Sequence, residues 1–275
     1  MNKCFLMAAV LSTIIAFPAH AYADTGTDAK DMKELKMTPE IRPTDAGFYV
    51  ALDGGSNFAQ VTDTKKVVQS DSAAGVGTAT SYGTGSGGVG WVGGLKVGYN
   101  FESYDLGNGF GLQPAVEAEA YYLNSYTKQN YSTAGNYPAN GFRAQYNDGA
   151  FMLNGLVRLK TGTLFTPYLG AGVGGEYITN TSVTLYDPSA NAKFPLSGAD
   201  DFDFAVQGIA GFDIEVAKHW DFFTEYKFIA AIDPTLSNSV NVHGVPDVAN
   251  GTYSAKYEPG YIGQHLITAG LKYNF

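Results

Sequence analysis

From Gly47 to Phe275, apolar and polar residues alternate with a period of two in eight stretches: 47–58, 89–102, 110–123, 149–160, 165–178, 202–216, 221–232 and 261–275. Successive side chains of a strand point to opposite faces, so each stretch predicts a strand with one apolar and one polar face. The sixth is the clearest. Phe202, Phe204, Val206, Gly208, Ala210, Phe212, Ile214 and Val216 fall on one face, and Asp201, Asp203, Gln207, Asp213 and Glu215 fall on the other. The eighth sets Ile267, Ala269, Leu271, Tyr273 and Phe275 against Gln264, Thr268, Lys272 and Asn274.

Periodicity does not say which face is inside. Three features favour an inverted arrangement, polar within and apolar without. Several strands run to about 12–15 residues, long for a soluble sheet and suited to a tilted bilayer crossing. The connectors alternate: 59–88, 124–148, 179–201 and 233–260 are long, whereas 103–109, 161–164 and 217–220 are short. Aromatics such as Tyr99, Phe101, Phe165, Tyr168, Phe222, Tyr273 and Phe275 gather near strand ends, where an interfacial girdle lies. The fold predicted is all-β, an eight-stranded antiparallel transmembrane β-barrel with long extracellular loops.

The charge balance excludes one class of partner. With 17 Lys+Arg against 26 Asp+Glu and a net charge of −9, the chain has no attraction for a nucleic-acid backbone. Residues 1–23 read as a secretory signal: Lys3 is followed by an apolar run from Cys4 to Phe17, then by Ala19, Ala21 and Ala23 in A-x-A spacing. Residues 24–46 read as a polar periplasmic leader, and 47–275 as the barrel. Cys4 is the one cysteine, so the processed chain is expected to have no disulfide, thiolate chemistry or cysteine metal site.

The last eight residues, Thr268-Ala269-Gly270-Leu271-Lys272-Tyr273-Asn274-Phe275, carry the most specific pattern: a polar residue, a glycine two later, then apolar or aromatic residues at alternate positions up to a terminal Phe. They resemble the assembly signal of bacterial outer-membrane barrels, with Thr268, Gly270, Tyr273 and Phe275 as its elements. Phe165-Thr166-Pro167-Tyr168-Leu169-Gly170-Ala171-Gly172-Val173-Gly174 and Gly208-Ile209-Ala210-Gly211-Phe212-Asp213 add to the likeness. Over residues 46–275 the chain resembles the eight-stranded outer-membrane barrel superfamily of opacity-type surface antigens and porin-family small barrels. The resemblance implies location in the bacterial outer membrane, contact with its lipid and lipopolysaccharide, insertion by the barrel assembly machinery, and a host or surface ligand bound through the loops.

Inward parity collects Asp53, Lys96, Glu117, Glu119, Arg158, Glu176, Asp213, Glu215, Glu225, Lys227 and Lys272. Eight strands enclose only enough room for side chains, so these charges are expected to pair with one another rather than line an open pore. Gly170 to Gly175 matches G-x-G-x-x-G, but within a strand pattern the glycines are better read as room for bulky lumen side chains than as a dinucleotide site. His219 falls in a short turn, His243 in a long connector and His265 on the outward face, and no hydrolytic constellation is visible. Asp200, Asp201 and Asp203 mark an acidic rim, read as solvated in preference to a divalent site. No catalytic residue, metal or cofactor is expected. The functional expectation is a surface antigen or adhesin-like, envelope-structural barrel, with a small-solute diffusion porin as the alternative.

Overall fold

The computed structural model describes residues 46–275 except 62–63, 72–78, 133–140, 188–191, 196, 233–234, 243–250 and 260. The expected signal peptide, 1–23, and the leader up to residue 45 lie outside the described residues. In chain order the strands are β1 (Gly47–Val61), β2 (Thr64–Asp71), β3 (Ala79–Gly87), β4 (Val89–Asn100), β5 (Tyr104–Gly107), β6 (Phe110–Ser132), β7 (Gly141–Lys160), β8 (Phe165–Asp187), β9 (Ala192–Pro195), β10 (Ala199–Ala217), β11 (Trp220–Ile232), β12 (Leu236–Val242), β13 (Gly251–Pro259) and β14 (Tyr261–Asn274).

Eight of them close a ring. β1 pairs with β4, β4 with β6, β6 with β7, β7 with β8, β8 with β10, β10 with β11, β11 with β14, and β14 back to β1, all antiparallel. These are the eight alternating stretches of the sequence. Both termini of the barrel lie at one end, where the Phe275 amide donates to the Phe48 carbonyl at 3.0 Å. The tight turns share that end. The connector 103–109 contains β5, folded back on β6 around Asn108 and Gly109 with φ of 55° and 82°. Two successive positive φ values are what a two-residue hairpin needs, and Asn-Gly adopts them at little cost.

The opposite end departs from the expectation of long loops. β6 continues to Ser132, β7 begins at Gly141, β8 reaches Asp187 and β10 begins at Ala199. β3 lies on β6, β2 on β3, β13 on β2 and β12 on β13. These four strands prolong β4, β1, β14 and β11 without changing their order in the wall. Phe58 opposes Val89 in the ring and Thr64 opposes Gly83 beyond it, six residues on (58 to 64) against six back (89 to 83), so the ring register carries on to Thr64 and shifts by one residue only before Val67. Ile232 and Tyr261, then Leu236 and Tyr257, keep step in the same way. The additional strands within 59–88 and 233–260 therefore heighten the barrel and leave its ring at eight. At about 3.3 Å per residue and a tilt of about 40°, the 23 residues of β6 or β8 rise roughly 60 Å, against an apolar band of about 25 Å. Beyond the bilayer both faces of a wall can be wet. The apolar alternation that betrays a strand then disappears while the ladder bonds remain.

The wall is apolar outside. Leu52, Leu95, Val97, Leu153, Leu169, Val173 and Leu271 are exposed on its outer surface. Near the termini an aromatic belt forms from Phe48 against Tyr99 (5.0 Å between ring centres), Tyr99 against Phe101 (5.2 Å), Trp220 against Tyr273 (5.0 Å) and Tyr273 against Phe275 (5.1 Å). Inside, large side chains lie over small residues of the next strand. The Tyr49, Tyr168 and Phe223 rings occupy the space a Cβ would need at Gly98, Gly211 and Gly270. Leu156, Asn154 and Met152 do the same above Gly170, Gly172 and Gly174, so these glycines serve packing within a strand.

Candidate functional site

The bore nearest the termini is filled by charge pairs. Arg158 of β7 pairs with Asp213 of β10, donates to the Tyr49 hydroxyl at 3.3 Å, and lies over the Tyr168 ring at 4.8 Å. Lys272 of β14 donates to the same Asp213 at 2.6 Å and stands 3.0 Å from Asp221. One level further in, Lys96 of β4 lies 2.5 Å from Glu225, 3.5 Å from Glu119 and 3.6 Å from Glu117. Lys227 of β11 bonds Glu119 and stands 3.1 Å from both Asp53 and Glu225. The hydroxyls of Tyr49 and Tyr168 donate to Glu117 and Glu225, each at 2.8 Å, and the Asn154 and Gln207 amides donate to Glu119, each at 3.2 Å.

Carboxylate oxygens of Asp53, Glu119 and Glu225 approach within 4.8 Å of one another, a spacing that suits a metal ion. The Lys227 ammonium already bonds all three. Its three donors and single positive charge supply what a cation would.

Nine of the charges collected by inward parity meet in this network: Asp53, Lys96, Glu117, Glu119, Arg158, Asp213, Glu225, Lys227 and Lys272. Glu176 also faces the bore, but farther from the termini and apart from these pairs. Glu215 does not join them. It keeps the register, opposite Asp221, but lies two residues from the end of β10 at the mouth of the bore, where it is exposed. Asp221, Tyr49, Asn154 and Gln207 were not among the charges singled out, although inward parity on the same strands identifies each. Asp148 lay one residue before the expected start of its strand.

Beyond the charge network an apolar layer crosses the bore. Val92, Leu123, Met152, Ala205, Ile229 and Leu266 form one buried cluster. On β7, Met152 and Ala150 separate Asn154 from Asp148; on β14, Leu266 separates Thr268 from Gln264. Past this layer the lining is polar again, with Asn57, Asp148, Glu176 and Gln264 all buried.

Of the other singled-out residues, His219 packs at the terminal end with its Nδ1 3.0 Å from the Asn274 carbonyl, and His265 faces outward with its Nδ1 2.6 Å from the Tyr226 hydroxyl. His243 lies outside the described residues. At the rim, Asp200 accepts from the Tyr177 hydroxyl at 3.0 Å and Asp201 from the Thr235 amide at 2.6 Å. Thr268 is buried in the bore, Gly270 seats the Phe223 ring, and Tyr273 and Phe275 belong to the outer aromatic belt.

No family model matches the chain, and no curated protein does. Among solved structures it is similar to the outer membrane protein OprG from Pseudomonas aeruginosa, with 17% identity over 84% of this chain and 96% of that one and a TM-score of 0.46. Neisserial surface protein A is similar at 15% identity over 83% and 97%, TM-score 0.35. The outer membrane protease OmpT from Escherichia coli is similar at 10% identity over 84% and 98%, TM-score 0.39. The assignment rests on the closed ring of eight, apolar outside and charged within. The chain is a transmembrane β-barrel. Backbone polar groups cannot go unpaired in lipid, and ring closure is how a sheet meets that condition.

Proposed function

We propose that this barrel acts as a closed, tall scaffold at the bacterial surface, a surface antigen or adhesin-like protein with an envelope-structural role and no catalytic activity. The observation that carries the reading is the filled bore, in which the charge network and the apolar layer lie one behind the other. Lys96, Lys227, Ile229 and Leu266 are each at most 1% exposed, so the described bore is packed by side chains at both levels, as expected of a ring of eight. That weighs against the small-solute porin. The strand wall prolonged beyond the ring gives a large, hydrogen-bonded surface on which a host or surface ligand would be met, and the outer apolar band is where lipid and lipopolysaccharide would lie.

Planar-bilayer recording of the refolded, LPS-free protein tests this. The expected record shows no stepwise conductance. Reproducible ohmic steps, abolished by widening or blocking substitutions in the bore, would reverse the proposal in favour of the porin.

A further inference from the structure

Asp148 and Glu176, past the apolar layer, differ from the acids near the termini in one respect: among the described residues no base meets either one. Gln264 of β14 reaches across the bore, and its Nε2 donates to Glu176 Oε1 of β8 at 2.7 Å and to Asp148 Oδ2 of β7 at 3.2 Å. Its carbonyl oxygen accepts from Asn57 Nδ2 of β1 at 2.5 Å. Asp148 and Glu176 are 1% and 0% exposed, and among the described residues no lysine or arginine bonds either one. Asp203, opposite Glu176 across the β8–β10 pair, adds a third acid.

Three oxygens of this group have no hydrogen-bond donor: Asp148 Oδ1, Glu176 Oε2 and Asn57 Oδ1. Asn57 is neutral and fully buried, so its unpaired oxygen is an observation separate from the clustering of acids. A buried acceptor without a donor is costly, and two carboxylates without a counter-charge are more so. A proton on each carboxyl would supply two donors for three acceptors and leave the Asn57 oxygen, which is already neutral, to compete for one of them. A cation placed among the three would supply what all of them lack.

We propose that Asp148, Glu176 and Asn57 form a binding site for a hard divalent cation, of the calcium class, inside the barrel. The donors are all oxygens, two of them anionic, which suits calcium and not the softer metals that favour nitrogen or sulfur. Amide orientation in Asn and Gln is interchangeable at little cost. With an ion present, reversal of the Gln264 amide adds its Oε1 as a further ligand and turns its Nε2 toward Asn57. The Asp53, Glu119 and Glu225 group, where Lys227 sits, is not such a site. The ion would tie β1, β7, β8 and β14 together across the bore, as Lys227 and Arg158 do nearer the termini.

The test uses the refolded mature protein in LPS-free micelles. Unfolding temperature is read in EDTA and in rising calcium chloride, with calcium binding measured by calorimetry. The wild type is expected to unfold at a higher temperature in calcium, saturating with one ion per chain and a dissociation constant on the order of 10⁻⁴–10⁻³ M. Glu176→Gln and Asp148→Asn should each weaken binding at least tenfold, and the double variant should show no calcium response and a higher unfolding temperature in EDTA than the wild type. Asp53→Asn should keep the response. If the acidic variants fail to refold, Asn57→Ala, which removes no charge, should still weaken binding several-fold. A wild type whose unfolding is the same in EDTA and calcium, a response that depends on pH alone, or a calcium response undiminished in whichever of these site variants refold would overturn the proposal.

Discussion

Lys96 of β4 and Glu225 of β11 meet at 2.5 Å although β1 and β14 stand between their strands in the wall, so their bond spans the bore. Both side chains are almost wholly buried. Removing one leaves the other charged and stranded, which typically costs about 3–5 kcal/mol. Lys96→Met is expected to lower stability by that order, measured by the denaturant midpoint of the refolded barrel. Lys96→Met combined with Glu225→Gln should lie closer to the wild type than the single variant does, because no uncompensated charge is then added. A double variant less stable than the single one would show that the pair is not the source of the loss.

Arg158 and Lys160 offer a comparison on one strand. Arg158 is buried, pairs with Asp213 and lies between the Tyr49 and Tyr168 rings, while Lys160 is half-buried at the last residue of β7. Arg158→Ala should therefore destabilise by about 3–5 kcal/mol, and Lys160→Ala by under about 1 kcal/mol, since partly exposed charges contribute little. Equal midpoints for the two would contradict the placement of Arg158 in a closed bore.

The eight ring strands were legible because the bilayer demands an apolar outer face, and that demand writes a period of two into residues such as Phe202 to Val216. The same rule collects Asp53, Lys96, Glu117, Glu119, Arg158, Asp213, Glu225, Lys227 and Lys272, which the structure brings together in the bore. It failed where its cause is absent. β2, β3, β12 and β13 leave no alternation, since neither face of Ala79–Gly87 needs to be apolar outside lipid, and Gly-, Ser- and Thr-rich sequence there reads as loop. Which charges would pair was not legible either. Lys96 meets Glu225 through the diameter and stagger of the ring, and no spacing along the chain reports those. Glu215 marks another limit: parity gives the face of a strand and not the depth along it, and Glu215 lies at the exposed end of β10.

The terminal aromatic has two structural attachments. The Phe275 amide donates to the Phe48 carbonyl, closing the seam between the first and last ring strands, and its ring meets Tyr273 edge-on at 5.1 Å. The expected outcome of deleting Phe275 is a lower yield of folded barrel in the outer membrane, read as the heat-modifiable form that migrates differently before and after boiling. The refolded truncated protein should keep that gel shift, because the rest of the ladder is intact. An unchanged membrane yield would remove the role of Phe275 in assembly.

The last prediction concerns orientation. With the leader in the periplasm, β1 runs outward, and the end of the barrel carrying the termini and tight turns faces inward. Segment 81–88 is rich in Gly and Ser, a composition common in loops. It is largely β3, with Tyr82 to Gly87 laddered to Thr127 to Ser132 of β6, so an insertion at Gly85 breaks the wall. The better position is between Asp71 and Ala79, where β2 ends and β3 begins. An epitope placed there should be labelled by antibody on intact cells with the barrel still heat-modifiable. One placed between Lys218 and His219 interrupts the tight turn that joins β10 to β11, where Ala217 opposes Trp220. It should be reached only after the outer membrane is breached, and should lower the folded yield. Labelling of the second epitope and not the first on intact cells would invert the orientation, and the surface-scaffold proposal would fail with it.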